Sequence, residues 1–114
     1  MRDERFIRGG VPMTKREVRA LAIDALELEG ARSLVDIGAG TGSVSIQAAV
    51  QFPSLRVTSV ERVEEGIELI RANADQFGVE VETIHREAPF DLGGAANAES
   101  SVESDGCGLL RHAP

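Results

Sequence analysis

The sequence predicts an α/β domain built on a doubly wound, mostly parallel sheet, and three observations carry that prediction. Apolar residues alternate between helical and strand spacing in the order helix, strand, helix, strand, helix, strand. A cluster of closely spaced glycines directly follows the first predicted strand. Acidic residues stand at, or just beyond, the ends of three successive predicted strands.

Residues 1–12 are charged and include Gly9-Gly10 and Val11-Pro12, which reads as an arm leading into a helix. Thr14-Lys15-Arg16-Glu17 has the form of a capping box, with the Thr14 hydroxyl and the Glu17 carboxylate exchanging backbone bonds. Val18, Leu21, Ala22, Ala25 and Leu28 then recur at helical spacing, giving a helix to about Glu29 that Gly30 stops. Ser33-Leu34-Val35-Asp36-Ile37 is a short strand, apolar enough to be covered on both faces. A second helix covers about Ser43 to Gln51, with Val44, Ala48 and Ile46 inward, and Pro53 prevents its continuation.

Arg56 to Val60 is the second strand, with Glu61 at its carboxyl end. The third helix runs from about Val63 to Phe77, where Ile67, Ile70, Ala74 and Phe77 form one face and Gly78 closes it. Val79 to Ile84 alternates at period two and forms the third strand, leading to Glu87-Ala88-Pro89. From Phe90 the residues are small and polar, so 90–114 is expected to be an irregular tail without helix or strand. The organisation is therefore an arm (1–12), an α/β unit (13–89) and a tail (90–114).

Composition narrows the function. The net charge of −7 argues against a nucleic-acid binder, which would present a basic field. No apolar run reaches the ~18–20 residues of a membrane helix, and the charged start is unlike a signal peptide. The single cysteine, Cys107, excludes an internal disulfide framework and fits a reducing, cytoplasmic setting. Eleven arginines against one lysine, Lys15, fit either a salt-adapted surface or a GC-rich genome. With only 4% aromatic residues, the core has to be aliphatic.

The motif richest in chemistry is Asp36-Ile37-Gly38-Ala39-Gly40-Thr41-Gly42. Glycines between a strand and a helix let backbone pass close to a ligand, and the helix start offers free amides. A dinucleotide fingerprint spaces its glycines G-x-G-x-x-G to seat a pyrophosphate. Here the third glycine comes one residue early and an acid precedes the first by two, so the dinucleotide spacing is not met. Glu61 can accept hydrogen bonds from two ribose hydroxyls, a geometry shared by nicotinamide and S-adenosylmethionine enzymes. Glu87 stands just after the third strand, the third acid placed in this way. Glycines after a strand can also form a mere tight turn, and each acid alone could be a solvated loop residue. Three acids at successive strand tips make the ligand reading the stronger one, because ligands of open α/β sheets bind at that edge. His85, His112 and Cys107 have no partner in sequence, and no spacing suggests a metal site.

The glycine loop with its preceding acid resembles motif I of Rossmann-like class I methyltransferases. The longer stretch Arg8-Gly9-Gly10-Val11-Pro12-Met13-Thr14-Lys15-Arg16-Glu17, together with Ser59-Val60-Glu61-Arg62, Glu68 to Asn73 and Glu87-Ala88-Pro89, resembles the decarboxylating precorrin-6B or cobalt-precorrin-6B C15-methyltransferases. The resemblance covers about residues 3 to 89 and ends there, as if the family's C-terminal part were truncated. It implies S-adenosyl-L-methionine as cofactor and a tetrapyrrole substrate of cobalamin biosynthesis. The implied reaction is methylation at C15 with decarboxylation of the C12 acetate, in a homotetramer. It further implies that Thr14, Asp36, Gly38, Ala39, Gly40, Thr41, Gly42, Glu61, Glu87 and Ala88 border the cofactor, while Arg8 and Lys15 meet substrate carboxylates. Thr14 also remains open to the purely capping role. Other readings are a methyltransferase acting on tRNA or protein, and a cofactor-binding fragment without activity.

Overall fold

The computed structural model describes residues 1–86, 100–104 and 107–112. In chain order the elements are a short 3-10 turn (Asp3–Arg5), α1 (Arg16–Leu26), β1 (Ser33–Ile37), α2 (Ser43–Gln51), β2 (Arg56–Glu61), α3 (Glu64–Phe77), β3 (Glu82–His85), β4 (Ser100–Ser104) and β5 (Cys107–His112). The five strands form one sheet in the order β3-β2-β1-β5-β4. β1 pairs parallel to β2, with Leu34 opposite Val57 and Ile37 opposite Val60. β2 pairs parallel to β3, with Glu61 opposite His85.

The helix–strand alternation through residue 86 follows the order expected from the sequence, as a Rossmann-like fold requires. The expected irregular tail is corrected. β5 pairs antiparallel to β1, with Val35 opposite Leu110 and Ile37 opposite Gly108, and β4 pairs antiparallel to β5. The apolar Leu109-Leu110 pair gives β5 something to bury: Leu109 joins the main core. Composition alone concealed this, because a six-residue strand needs only one or two apolar positions when a preformed neighbour supplies the ladder.

The main core lies between the sheet and the helices α1 and α2. Ile23 and Leu26 of α1 and Val44 and Ala48 of α2 meet Leu34 of β1, Val57 of β2 and Leu109 of β5. A second cluster joins Phe6 of the arm and Met13 to Ile46 and Ala74, and the Phe6 and Phe77 rings sit 5.0 Å apart, tilted. In α3, Ile67, Ile70 and Ala74 are buried as expected from their spacing.

α1 differs from the sequence-based expectation in both its cap and its buried face. Thr14 is not the cap: Lys15 holds that position, with no side-chain cap bond, and the helix ends at Leu26, where Glu27 turns left-handed with φ 50°. The buried face is Arg19, Ala22, Ile23 and Leu26, while Val18 and Leu21 are 55% and 72% exposed. Both sets satisfy helical spacing, so periodicity could not choose between them. Arg19 chooses. Fully buried, it donates from Nε to Gln47 Oε1 (3.0 Å), from Nη1 to the Thr14 carbonyl (2.6 Å) and Asp3 Oδ1 (2.7 Å), and from Nη2 to the Met1 carbonyl (2.6 Å). Its guanidinium carbon also stands 4.9 Å from the Phe6 ring centroid. A buried cation is tolerable only when its donors are satisfied, and the arm supplies most of the acceptors. The Arg19 guanidinium in turn holds the Asp3 carboxyl below its ordinary range.

This arrangement sets an expected contrast in stability. Arg19→Ala should lower the unfolding free energy by about 2–4 kcal/mol, since it strands several buried acceptors. Val18→Ala and Leu21→Ala should each change it by less than about 0.5 kcal/mol, as exposed substitutions do. Urea unfolding of the three variants checks which face of α1 is buried.

Candidate cofactor site

The glycine loop joins β1 to α2 and is pinned to the tip of β2. The Gly38 and Ala39 amides both donate to the Val60 carbonyl (2.8 and 3.1 Å), and the Gly42 amide donates to the Ala39 carbonyl (2.9 Å). Gly38, Gly40 and Gly42 all have positive φ. At Gly40 a side chain is excluded twice over: φ is +60°, and a Cβ would collide with the Pro12 carbonyl oxygen. The arm therefore crosses directly over the loop. Thr14 lies beside it, its carbonyl accepting from Ser43 Oγ at the first residue of α2 (3.3 Å).

Glu61 is the centre of this junction. It is buried at the tip of β2, and its Oε1 accepts from the Gly40 amide (3.0 Å) while Oε2 accepts from the Val63 amide (2.9 Å). One carboxylate thus fixes the glycine loop and the entry to α3 together. Two backbone bonds leave it further acceptor capacity, since an ionised carboxylate offers about four lone-pair sites.

Asp36 is also buried, but it is directed towards α2. Its Oδ2 accepts from Ser45 Oγ (2.8 Å), and Ser45 Oγ accepts from Ser59 Oγ (2.6 Å). Burial pushes the Asp36 carboxyl up to about 7; the Ser45 hydrogen bond opposes the rise and the charge of Glu61 adds to it. The two acids are therefore close enough to repel, across a loop rich in backbone amides. Thr41 is fully buried, and among the described residues its Oγ1 is a buried atom without a hydrogen-bond partner.

The sequence-predicted residues divide clearly. Thr14, Asp36, Gly38, Ala39, Gly40, Thr41, Gly42 and Glu61 gather at the carboxyl edge of β1 and β2. Arg8 and Lys15 are exposed on the arm and at the start of α1. Glu87 and Ala88 lie outside the described residues. His85 Nε2 stands 2.9 Å from the Arg62 carbonyl at the surface. Among the described residues, no group of three His, Cys, Asp or Glu side chains could hold a metal ion, and no helix is long and apolar enough to cross a membrane. A groove lined by Ile23, Asp24, Leu28, Phe52 and Arg111 among others contains none of these strand-tip acids.

Sequence reasoning missed several residues that build the site. Gly66, in the first turn of α3, has space for no Cβ, because one would stand 2.6 Å from Glu61 Cγ and 3.1 Å from the Gly40 carbonyl oxygen. A glycine inside a helical pattern, which costs ~1 kcal/mol against alanine, is the signal that could have found it. Ser45 and Ser59 were hidden among ordinary helix and strand residues. Asn73, fully buried on α3, was quoted within the family-like stretch Glu68 to Asn73 but given no role of its own.

A glycine loop over a parallel strand junction, with an acid at the tip of the second strand, is a Rossmann-like arrangement, and the solved structures it resembles make it that of the class I methyltransferases. A precorrin-6Y C5,15-methyltransferase from Geobacter metallireducens superposes with a TM-score of 0.72 at 34% identity, over 82% of this chain and 50% of that one. The precorrin-8W decarboxylase of Methanobacterium thermoautotrophicum gives 0.64 at 29% identity, over 75% and 47%. The chain belongs to the precorrin methyltransferase domain family, whose profile matches residues 4–102. That match runs past Pro89, where the sequence-based resemblance stopped. A cobalt-precorrin-6B C(15)-methyltransferase (decarboxylating) of Salmonella typhimurium is 51% identical over 100 residues, covering 86% of this chain and 52% of that protein. A probable cobalt-precorrin-6B C(15)-methyltransferase (decarboxylating) of Pyrobaculum calidifontis is 49% identical over 79 residues, covering 68% and 40%. The chain thus spans about half the length of the curated relatives it matches.

The Asp36 environment has a measurable consequence. The ordinary value of its carboxyl is 3.8 and burial raises it to about 7, so between these values the folded protein holds a proton that the unfolded chain releases. Stability from this group is complete below about pH 4 and falls as pH rises towards 7. Asp36→Asn, which keeps an acceptor for Ser45, should flatten that fall and stabilise the protein at pH 8 by on the order of 1–2 kcal/mol. Thermal unfolding of both proteins from pH 5 to pH 8 checks it.

Proposed function

We propose that this chain binds S-adenosyl-L-methionine at the glycine loop and takes part in methylating C15 of a (cobalt-)precorrin-6B tetrapyrrole, with decarboxylation of the C12 acetate. The observation that carries the cofactor assignment is Glu61, buried at the tip of β2 with its carboxylate accepting from the Gly40 amide of the glycine loop. A carboxylate there can also accept from ribose hydroxyls, and it disfavours a nearby phosphate. The glycine spacing and the precorrin methyltransferase relatives favour S-adenosylmethionine over a dinucleotide. The names of the relatives support the choice of substrate.

The residues present fit the cofactor. Glu61 keeps acceptor capacity for ribose hydroxyls, and the buried Thr41 hydroxyl has a hydrogen bond still to make. Gly40 and Gly66 leave room for the loop to lie flat against Glu61. When bound, the cofactor supplies an electrophilic methyl group for an electron-rich carbon of the macrocycle. The chain's own work is then alignment and exclusion of water rather than acid–base chemistry. Glu61 and the loop fix the adenosyl end, Thr14 and the arm close over it, and the exposed Arg8 and Lys15 offer positive charge to substrate carboxylates.

Calorimetry with S-adenosylmethionine, S-adenosylhomocysteine and NAD tests this reading. The two sulfur ligands should bind and NAD should not; preference for NAD overturns the proposal. Glu61→Ala should weaken S-adenosylhomocysteine binding by about 1–3 kcal/mol, through lost bonds to a charged acceptor. An unchanged affinity removes Glu61 from the site.

A further inference from the structure

Asn73 makes three hydrogen bonds from full burial, and all three tie separate segments together. Its Oδ1 accepts from the Ile7 amide (2.7 Å), and its Nδ2 donates to the Ile7 carbonyl (3.0 Å) and the Thr41 carbonyl (3.1 Å). The first two bonds grip the arm as a neighbouring strand would. The third reaches the peptide between Thr41 and Gly42, inside the glycine loop. Both protons of the side-chain amide are used, so no other side chain of the same size could make this set.

From this geometry we infer that Asn73 is a positioning residue, coupling closure of the N-terminal arm to the form of the glycine loop. Two neighbouring contacts support the coupling. Glu65, two turns earlier on α3, receives the Gly10 amide at its Oε2 (3.0 Å), and Gln76 donates from Nε2 to the Arg5 carbonyl (2.6 Å). The arm is therefore laced along α3 at Arg5, Ile7 and Gly10 before it crosses Gly40 at Pro12. Of these three α3 side chains, Asn73 alone also holds the loop. When the arm is in place, the Thr41 carbonyl has a fixed donor and the loop amides a fixed direction. When the arm leaves, Asn73 loses two of its three bonds and its hold on the loop weakens. The consequence for ligand binding rests on the cofactor reading above.

The test uses Asn73→Asp, which keeps the acceptor for the Ile7 amide but sets carboxylate oxygen against the Ile7 and Thr41 carbonyls. Affinity for S-adenosylhomocysteine should fall about tenfold or more. Leu26→Ala, a core change remote from the loop, should lower Tm comparably yet leave that affinity within about twofold. Equal losses of affinity in both variants overturn the inference, because they would mean general destabilisation. A readout that needs neither variant nor ligand is the Asn73 side-chain amide in the NMR spectrum of the unaltered protein. Its two protons should be resolved and exchange slowly; exchange at the rate of a free asparagine overturns the proposal. Failure of the unaltered protein to bind S-adenosylhomocysteine would sink the cofactor reading alone and leave the amide signal to decide Asn73.

Discussion

The structure turns on one requirement: the backbone between β1 and α2 has to stay tightly folded while its amides are bonded inside a crowded junction. Glu61 meets it by accepting from Gly40 on one side and Val63 on the other. A neutral side chain there could not receive two backbone donors and keep capacity to spare. Gly66 stands back to let the carboxylate in, Pro12 lies over the loop, and Ile70 fills the space where Gly42 has no side chain. The sheet beneath is conventional; the junction above it is specific.

The arm follows from the same requirement. Covering a loop with an irregular segment is costly unless the segment's own polar backbone is satisfied. Arg19 does this at Met1 and Thr14, Asn73 at Ile7, Gln76 at Arg5 and Glu65 at Gly10. Four side chains from two helices thus take the part that a neighbouring strand would play. Phe6, packed against Phe77 and beneath Arg19, adds an apolar anchor.

Much of this was legible in the sequence because two kinds of signal are local. Glycine spacing after a short apolar strand located the loop, and Glu61 marked the tip of β2 without any tertiary information. What stayed hidden was set by contacts distant in sequence. The buried face of α1 depends on whether position 19 finds acceptors in the arm, which helical periodicity does not encode; hence Val18 and Leu21 were expected inside and lie outside. Thr14 has a capping-box spacing, yet its carbonyl is taken by Arg19 and Ser43, and the helix starts two residues later. β5 was missed because its partner is β1, over seventy residues away. Ser45 and Ser59, whose hydroxyls link to the Asp36 carboxylate, carry no local signal of that role.

Gly66 has a consequence for anyone seeking a sturdier version of this fold. Replacing a helical glycine with alanine is among the most dependable ways to stabilise a protein, because it stiffens the unfolded chain. In α3 that recipe would drive a methyl group into the very carboxylate that organises the loop. The helix keeps its weakest residue where the architecture needs clearance, so local rigidity and a correctly shaped junction are competing goods at this position.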